Sequence, residues 1–455
     1  MMEGKTRPTI TEKVMDARRL AVAVLDRVFR TDGYADVILD AYLTEVDLSS
    51  RDRALASELV YGTLRWKKWL DYMLRHAYHK DWSEVPARVR LILEVGLYQI
   101  LFLTRIPDHA AVNESVKAAF DEKGRAWGRV VNAVLRAIIR NPDLRTPPPV
   151  DENPVRAIAV RWSHPEWLVQ RWIDTWGVER TLSLCRANNQ RPRMGIRVNR
   201  MKGTKDDVLE AIRGCGLNAE PSDFLDAFFT LRKGGDLLRF PAFEDGLFSV
   251  QDESAGFVGK LMNPQRGERI IDLTAAPGGK AMHMAELAHD QLTIVAVDVH
   301  MNRVLKIREN QERLGLKSIH AVVADGRRFG GKAVDKVLVD APCSGLGVIR
   351  KRGELRWRRK PGDIPKMVTI QKELLRSGAA MLQKDGILVY STCTILPEEN
   401  VAVANHFLQE NPDFTVEKAH SFVDSRVVSP QGFVETWPDR HGMDGSFAVR
   451  FRRVV

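Results

Sequence analysis

Between residues 246 and 455 one pattern recurs five times: a short apolar run, then a helix-length segment. The runs are RIIDL, TIVAVD, HAVVAD, DKVLVD and GILVYS. A strand with one wet face alternates polar and apolar residues. A strand covered on both faces reads as a near-continuous hydrophobic run. Helices between such strands make successive βαβ units, so this stretch is expected to fold as a doubly wound, mostly parallel α/β sheet.

The rest of the chain follows other rules. Val14, Ala17, Leu20, Ala21, Val24, Leu25 and Val28 recur with the 3.6-residue period of a helix. Further helical stretches run from Arg53 to Trp66, Arg88 to Leu103, Ala110 to Phe120 and Arg129 to Ile139. The segment TPPPVDENP, Thr146 to Pro154, carries four prolines in nine residues and cannot continue a helix. Beyond it, RWSHPEWLVQRWIDTWG reads as helix, MGIRVNRMKG as a short strand and GTKDDVLEAIRGCG as a further helix. The expected architecture is therefore multidomain. An all-α helical domain (1–145) precedes a linker with a small α/β connecting module (146–245) and a Rossmann-like α/β domain (246–455).

Against 59 acidic residues stand 69 basic ones, a net charge of +10 that favours a polyanionic partner, nucleic acid before an acidic membrane surface. The most apolar stretch, Leu91 to Leu103, is 13 residues long and contains Glu94 and Gln99, so it reads as a buried helix and not a membrane span. The opening MMEGKTRPTITEK has no apolar core of a secretory signal. Four cysteines in 455 residues make no disulfide framework and suit a reducing cytoplasm. The chain is expected to be a cytoplasmic monomer.

The chemistry-bearing residues cluster at the ends of the apolar runs. In IIDLTAAPGGKA (270–281) a strand, a small-residue loop and a helix start follow one another. Gly278 and Gly279 allow close approach of a ligand, and the helix N-terminus favours an anionic group. Thr274, Ala275, Ala276, Pro277, Gly278, Gly279 and Lys280 are the expected cofactor loop. Asp298 closes the next run, 20 residues after Gly278, where an acid can accept from both hydroxyls of a ribose. Asp325, within VVADGR, is placed for an adenine edge. One such acid alone is more often a solvated loop residue. Three successive strand ends together point to an adenosine-type cofactor. A nicotinamide dinucleotide is disfavoured, because GxGxxG is absent.

VLVDAPCSGLG (337–347) places Asp340, Pro342 and Cys343 beyond the fourth run, and ILVYSTCTILPEEN (387–400) places Cys393 beyond the fifth. Ligands of open α/β sheets bind beyond the carboxyl ends of the strands, so these residues converge. A lone cysteine is usually a small buried hydrophobe. Two of four at adjacent strand ends beside a cofactor loop make that reading poor. No CxxC spacing or nearby histidine supports a metal, and none is expected. Cys185 and Cys215, on expected helices, read as structural. Two thiols and a carboxylate suit carbon-5 methylation of cytosine. A thiolate adding to carbon 6 makes carbon 5 nucleophilic towards a sulfonium methyl, a second thiol assists release, and Asp340 can hydrogen-bond N3 and the exocyclic amine.

SVQDESAG, DLTAAPGGK, AVD, ADGR, DAPCSGLG and YSTCTILPEEN stand in the order of a known family. Residues 246–455 closely resemble the Sun/NOL1/NOP2 RNA cytosine-5 methyltransferases. The resemblance implies S-adenosyl-L-methionine as cofactor, held by residues 274–280 with Asp298, Asp325 and Asp340. It also implies Cys393 as the nucleophile and Cys343 as the cysteine that helps release the product. DNA cytosine methyltransferases would instead promote Cys343. Upstream, RALASELVYGTLRW, LEVGLYQILFL, IPDHAAVNESV and VVNAVLRAI resemble the NusB-like RNA-binding domain. The combination resembles bacterial Sun/Fmu-type enzymes of 16S ribosomal RNA. Thr274 stands where that family often has cysteine, and Ser446 where an aromatic is common. A transfer-RNA methyltransferase and a non-catalytic NusB-like RNA-binding factor are the alternatives; the paired cysteines disfavour the second.

Directly after the Cys343 motif, residues 350–360 (RKRGELRWRRK) hold seven Arg or Lys, one Glu and Trp357. A charge run is usually a solvated face. Its place beside the crevice motif makes Arg350, Lys351, Arg352, Arg356, Arg358 and Arg359 candidates for RNA phosphate contact, with Trp357 as a stacking platform.

Overall fold

The computed structural model describes residues 15–150, 152–231, 237, 240–331 and 333–455. Val14 and the thirteen residues read above for a leader lie outside the described residues. The chain divides into two compact units, Met1–Asn189 with Arg352–Arg358, and Gln190–Lys351 with Arg359–Val455.

The first unit is helical. Its helices are α1 (Ala17–Arg30), α2 (Ala35–Glu45), α3 (Ser50–Ala77), α4 (Ala87–Phe102), α5 (Asp108–Lys123), α6 (Arg125–Arg140), α7 (Pro154–Arg161), α8 (Glu166–Trp176) and α9 (Val178–Asn188). Side chains chosen by the helical period close its core: Leu20, Val24, Leu25 and Val28 of α1 are fully buried with Leu59 and Leu70 of α3 and Leu135 of α6. The two polar residues of the apolar stretch each find a cationic partner. Lys67 reaches Glu94 at 2.6 Å, and Arg18 reaches Gln99 at 2.7 Å. Among the described residues no helix is long and apolar enough to cross a membrane.

The second unit holds two sheets. The smaller combines β1 (Met194–Val198), β2 (Ala219–Pro221), β3 (Phe228–Leu231) and β4 (Phe248–Val250), in the antiparallel order β2-β3-β1-β4, with α10 (Lys205–Gly214) and α11 (Pro241–Glu244). Sequence reading found β1 and α10; the other three strands are three or four residues long, too short to show a period.

The larger sheet begins after α12 (Glu253–Met262). It contains β5 (Arg269–Asp272), β6 (Thr293–Asp298), β7 (Ile319–Val323), β8 (Val334–Asp340), β9 (Leu382–Thr392), β10 (Phe414–Val416), β11 (Val434–Thr436) and β12 (Ser446–Arg453). Helices α13 (Gly279–Leu287), α14 (Met301–Leu314), α16 (Asp363–Ala380), α17 (Val401–Glu410) and α18 (Pro438–His441) belong to the same unit, whereas α15 (Leu355–Arg358) belongs to the first. The strand order is β10-β12-β9-β8-β5-β6-β7, with β11 also on β12. The five expected strands are parallel, and β12 returns antiparallel to β9. From β5 the chain winds outward through β6 and β7, then crosses to β8 on the other side of β5. That reversal is the topological switch point, where the carboxyl ends of β5 and β8 part to leave a crevice.

Candidate active site

The chemistry-bearing residues stand around that crevice. Thr274 follows β5, Asp298 and Asp340 end β6 and β8, Asp325 lies just beyond β7, and Cys393 lies just beyond β9. The loop 274–280 leads into α13, which starts at Gly279 with Gly278 at φ +102°. That left-handed conformation is strained for any residue with a Cβ. The Ala276–Pro277 peptide is cis. A Cβ on Gly326, in ADGR, would come 2.5 Å from the Leu273 carbonyl, so only glycine lets the third loop approach the first so closely.

Charges converge on Asp340. Lys280 Nζ donates to its Oδ2 at 2.6 Å, and Ser391 Oγ donates to its Oδ1 at 2.8 Å. Burial alone would lower the Lys280 ammonium, but Asp340 holds it above its usual value. Asp272, ending β5, is fully buried, and its Oδ2 has no hydrogen-bond partner. Burial, then the Asp340 charge, push its carboxyl up to about 7. Asp298 is 3% exposed, accepts from the His300 amide at 3.0 Å and lies 3.4 Å from Arg303. Asp325 is gripped by its own neighbour Arg327, at 3.0 and 2.6 Å.

The two strand-end cysteines meet. Cys343 Sγ and Cys393 Sγ are 3.1 Å apart, and the Cys393 amide donates to Cys343 Sγ at 3.3 Å. Cys343 is buried and Cys393 is exposed. The Cys343 thiol donating to Cys393 lowers the Cys393 thiol below its ordinary value, with Lys280 helping, and holds Cys343 well above its own. Of the two sulfurs, the accessible one is therefore the more readily ionised, with the other behind it.

Sequence reading assigned no role to the groups that hold this arrangement. Glu399, fully buried, accepts from Ser344 N (2.8 Å), Ser344 Oγ (2.5 Å) and Gln371 Nε2 (3.1 Å). Ser344 Oγ also meets Thr394 Oγ1 at 2.8 Å, so the residues following both cysteines share one network. Arg197 of β1, 1% exposed, pairs with Glu286 of α13 at 2.7 Å, donates to the Gly279 carbonyl at 3.0 Å and hydrogen-bonds Gln251. Arg197 sits in the short RVN segment, which carries no chemical signature. Glu399 sits inside a motif quoted for another residue. Asn199 braces the Gly246 and Leu314 carbonyls at 3.0 and 3.2 Å.

The basic run is corrected. Arg350 is 3% exposed and donates to the Gly442 carbonyl at 2.7 Å. Lys351 bridges Asp252 and Asp444. Arg356 is fully buried and spends its guanidinium on the Ser163 carbonyl (3.0 Å) and Asn189 Oδ1 (2.8 Å). Trp357 packs on the helical core with Nε1 on the Leu64 carbonyl at 2.7 Å. Arg358 donates to the Val28 and Asp32 carbonyls at 2.8 and 3.0 Å, and Arg359 to the Ser344 carbonyl at 2.7 Å. Arg352 stacks on Tyr34 at 4.1 Å with Asp36 3.7 Å away. Buried backbone carbonyls need donors, and a guanidinium offers five of them in a fixed fork. Most of the run thus serves as a structural strap, with the Trp357 indole N–H engaged on the helical unit.

Residues 259–452 match the family profile described as 16S rRNA methyltransferase RsmB/F, residues 15–140 the NusB family, and residues 164–237 the ferredoxin-like domain of the RsmF/B-like methyltransferases. The chain is 36% identical over 450 residues to the Bacillus subtilis protein named "Probable ribosomal RNA small subunit methyltransferase B", covering 97% of this chain and 99% of that one. It is 37% identical to ribosomal RNA small subunit methyltransferase B of Pseudomonas syringae, covering 87% of each. The chain belongs to the ribosomal RNA small subunit methyltransferase B family. It is a methyltransferase acting on RNA, built from a NusB-type helical domain, a ferredoxin-like module and a Rossmann-like methyltransferase domain. The fold of PH0851 covers 96% of this chain at a TM-score of 0.80 and 24% identity. A methyltransferase homologue from Pyrococcus horikoshii covers 66% of it at 0.58 and 26%. The two departures from the pattern are accommodated. Thr274 Oγ1 donates to the Asp340 carbonyl at 2.7 Å, and Ser446 Oγ meets Thr436 Oγ1 at 2.8 Å.

Proposed function

We propose that this chain methylates carbon 5 of a cytosine in small-subunit (16S) ribosomal RNA, through a covalent bond between Cys393 and carbon 6. The observation that carries this reading is the 3.1 Å Cys343–Cys393 pair beside Asp340 and Lys280. The residues fit S-adenosyl-L-methionine: a glycine cradle at 278–279, a buried acid at Asp298 and an unpartnered buried carboxyl oxygen on Asp272. Thr274, Ala275, Ala276, Pro277, Gly278, Gly279 and Lys280 would hold it, with Asp298 on the ribose, Asp325 at the adenine edge and Asp340 between cofactor and base. Asp325 would first exchange its Arg327 partner. When bound, the cofactor supplies the electrophilic methyl that an activated cytosine takes up.

Cys393, as thiolate, forms the bond to carbon 6, and Lys280 and Asp340 position the base and balance the developing charge. After transfer the carbon-5 proton is released to solvent. Its electron pair rebuilds the ring double bond, and the carbon–sulfur bond breaks. The Cys343 thiol, already hydrogen-bonded to the departing sulfur, stabilises it as thiolate. Residues 1–145 gather the RNA, 146–245 connect, and 246–455 carry the chemistry. Incubating the purified protein with unmodified small-subunit ribosomal RNA and methyl-labelled S-adenosylmethionine, then digesting to nucleosides, should yield labelled 5-methylcytidine. A different labelled nucleoside would overturn the proposal, and in a parallel incubation with transfer RNA, label entering that RNA alone would move it to that substrate.

A further inference from the structure

Most of the basic side chains at 350–360 are spent on contacts within the protein, which directs the search for an RNA-holding surface elsewhere. Helix α6 offers the place. Its residues Arg125, Arg129, Arg136 and Arg140 are all exposed. At 3.6 residues per turn the four lie within about 60° of one another, on a stripe roughly 22 Å long. The opposite face, Val131, Val134, Leu135 and Ile138, is buried in the helical core. None of the four joins an ion pair among the described residues; Arg136 donates to the neutral Asn132 at 2.9 Å. Three of the four acids of the neighbouring α5 are taken, Asp121 by Arg19, Glu122 by Arg88 at 3.3 Å and Glu114 by Lys117 at 2.8 Å, and the fourth, Asp108, is the exposed first residue of that helix.

An aromatic ring adjoins the stripe. Phe120 of α5 is 52% exposed, and its Cβ lies 3.5 Å from where a Cβ on Gly128 of α6 would sit. Gly128 is one residue before Arg129, so Phe120 flanks the line of guanidiniums. Four uncompensated cations in a row beside an exposed ring combine phosphate contact with a stacking surface. A membrane surface fits less well, because the apolar face of α6 is already spent on the core.

We infer that the α6 arginine stripe with Phe120 binds the backbone and an unstacked base of the substrate RNA. This rests on the RNA-methylating reading above and assigns it a surface. The test is filter binding of an unmodified small-subunit ribosomal RNA transcript across a range of KCl concentrations. Replacing all four arginines by glutamine should reduce the log–log salt slope by about 3, at roughly 0.7 per single-strand phosphate contact. The quadruple Arg→Lys variant should keep the slope. Phe120→Ala should weaken binding about tenfold at fixed salt and leave the slope unchanged. A control removing Arg51, Arg156, Arg266 and Arg308 should leave the slope nearly intact. A slope unmoved by the α6 variant, or moved equally by the control, overturns the assignment. If the wild type still forms 5-methylcytosine in that case, only the surface falls. If the slope responds but no 5-methylcytosine forms, the surface stands and the proposed reaction falls.

Discussion

Glu399 grips Ser344 twice, through its amide at 2.8 Å and its hydroxyl at 2.5 Å. Because Ser344 also meets Thr394, that grip ties the Cys343 loop to the Cys393 loop. Removing the carboxylate would leave the buried Ser344 amide unpaired and its hydroxyl with Thr394 alone. Glu399→Ala should cost about 1–3 kcal/mol in chemical denaturation and reduce methyl transfer by more than the unfolded fraction explains. Glu399→Gln, which keeps an acceptor, should recover most of both. Equal activity in all three proteins would show that the clamp does not set the sulfur geometry.

The two cysteines should fail differently. Cys393→Ala lacks the attacking sulfur and should neither methylate nor form an adduct. Cys343→Ala keeps the nucleophile and loses the donor that assists its departure, so it should accumulate RNA–protein complex. A denaturing gel with unmodified RNA and S-adenosylmethionine separates the cases. Trapping by Cys393→Ala instead would make Cys343 the nucleophile.

The same hydrogen bond fixes a pH dependence. A donor to sulfur favours the thiolate, so Cys393 lies below its ordinary value and stays reactive where free thiols are protonated. Iodoacetamide labelling followed by peptide mapping should modify Cys393 at lower pH than Cys343. In Cys343→Ala the donor is gone, and the labelling midpoint of Cys393 should move up. A midpoint that stays put or moves down would assign the activation to another group.

Asp298 should matter to the cofactor and not to RNA. Asp298→Ala should weaken S-adenosylmethionine binding by about 1–3 kcal/mol in calorimetry, the cost of unpairing polar groups in a site. Transcript affinity should be unchanged. Unchanged cofactor affinity would remove Asp298 from the ribose.

Strand-end residues were legible because burial on both faces forces a continuous apolar run, and the first polar residue after it must face the crevice. Asp298 and Asp340 stand at that position, whereas Cys393 follows Ser391 and Thr392 and was marked by its residue type beside a second strand-end cysteine. Arg197 was not, because its role depends on Glu286 and the Gly279 carbonyl, 89 and 82 residues along the chain. The strands β2 to β4 escaped for want of length. The basic run misled for a related reason: composition reveals charge, but a buried guanidinium such as Arg356 reads like an exposed one. Its buried state lowers it to about 9. Arg356→Ala should therefore appear as a loss of about 2–4 kcal/mol of stability with the salt slope of RNA binding untouched.

The strap also bears on how this protein can be taken apart. Arg352–Arg358 belongs to the helical unit, although 162 residues separate its start from Asn189. A gene fragment cut after the last helix of that unit would encode an incomplete object: the carbonyls of Leu64, Ser163 and Val28 would lose the side chains that cap them. Ribosomal synthesis meets the same gap, since the helical unit must wait, unfinished, until the chain has been extended past residue 358. A synthetic peptide of the strap, added in trans, is the missing piece such a fragment would need.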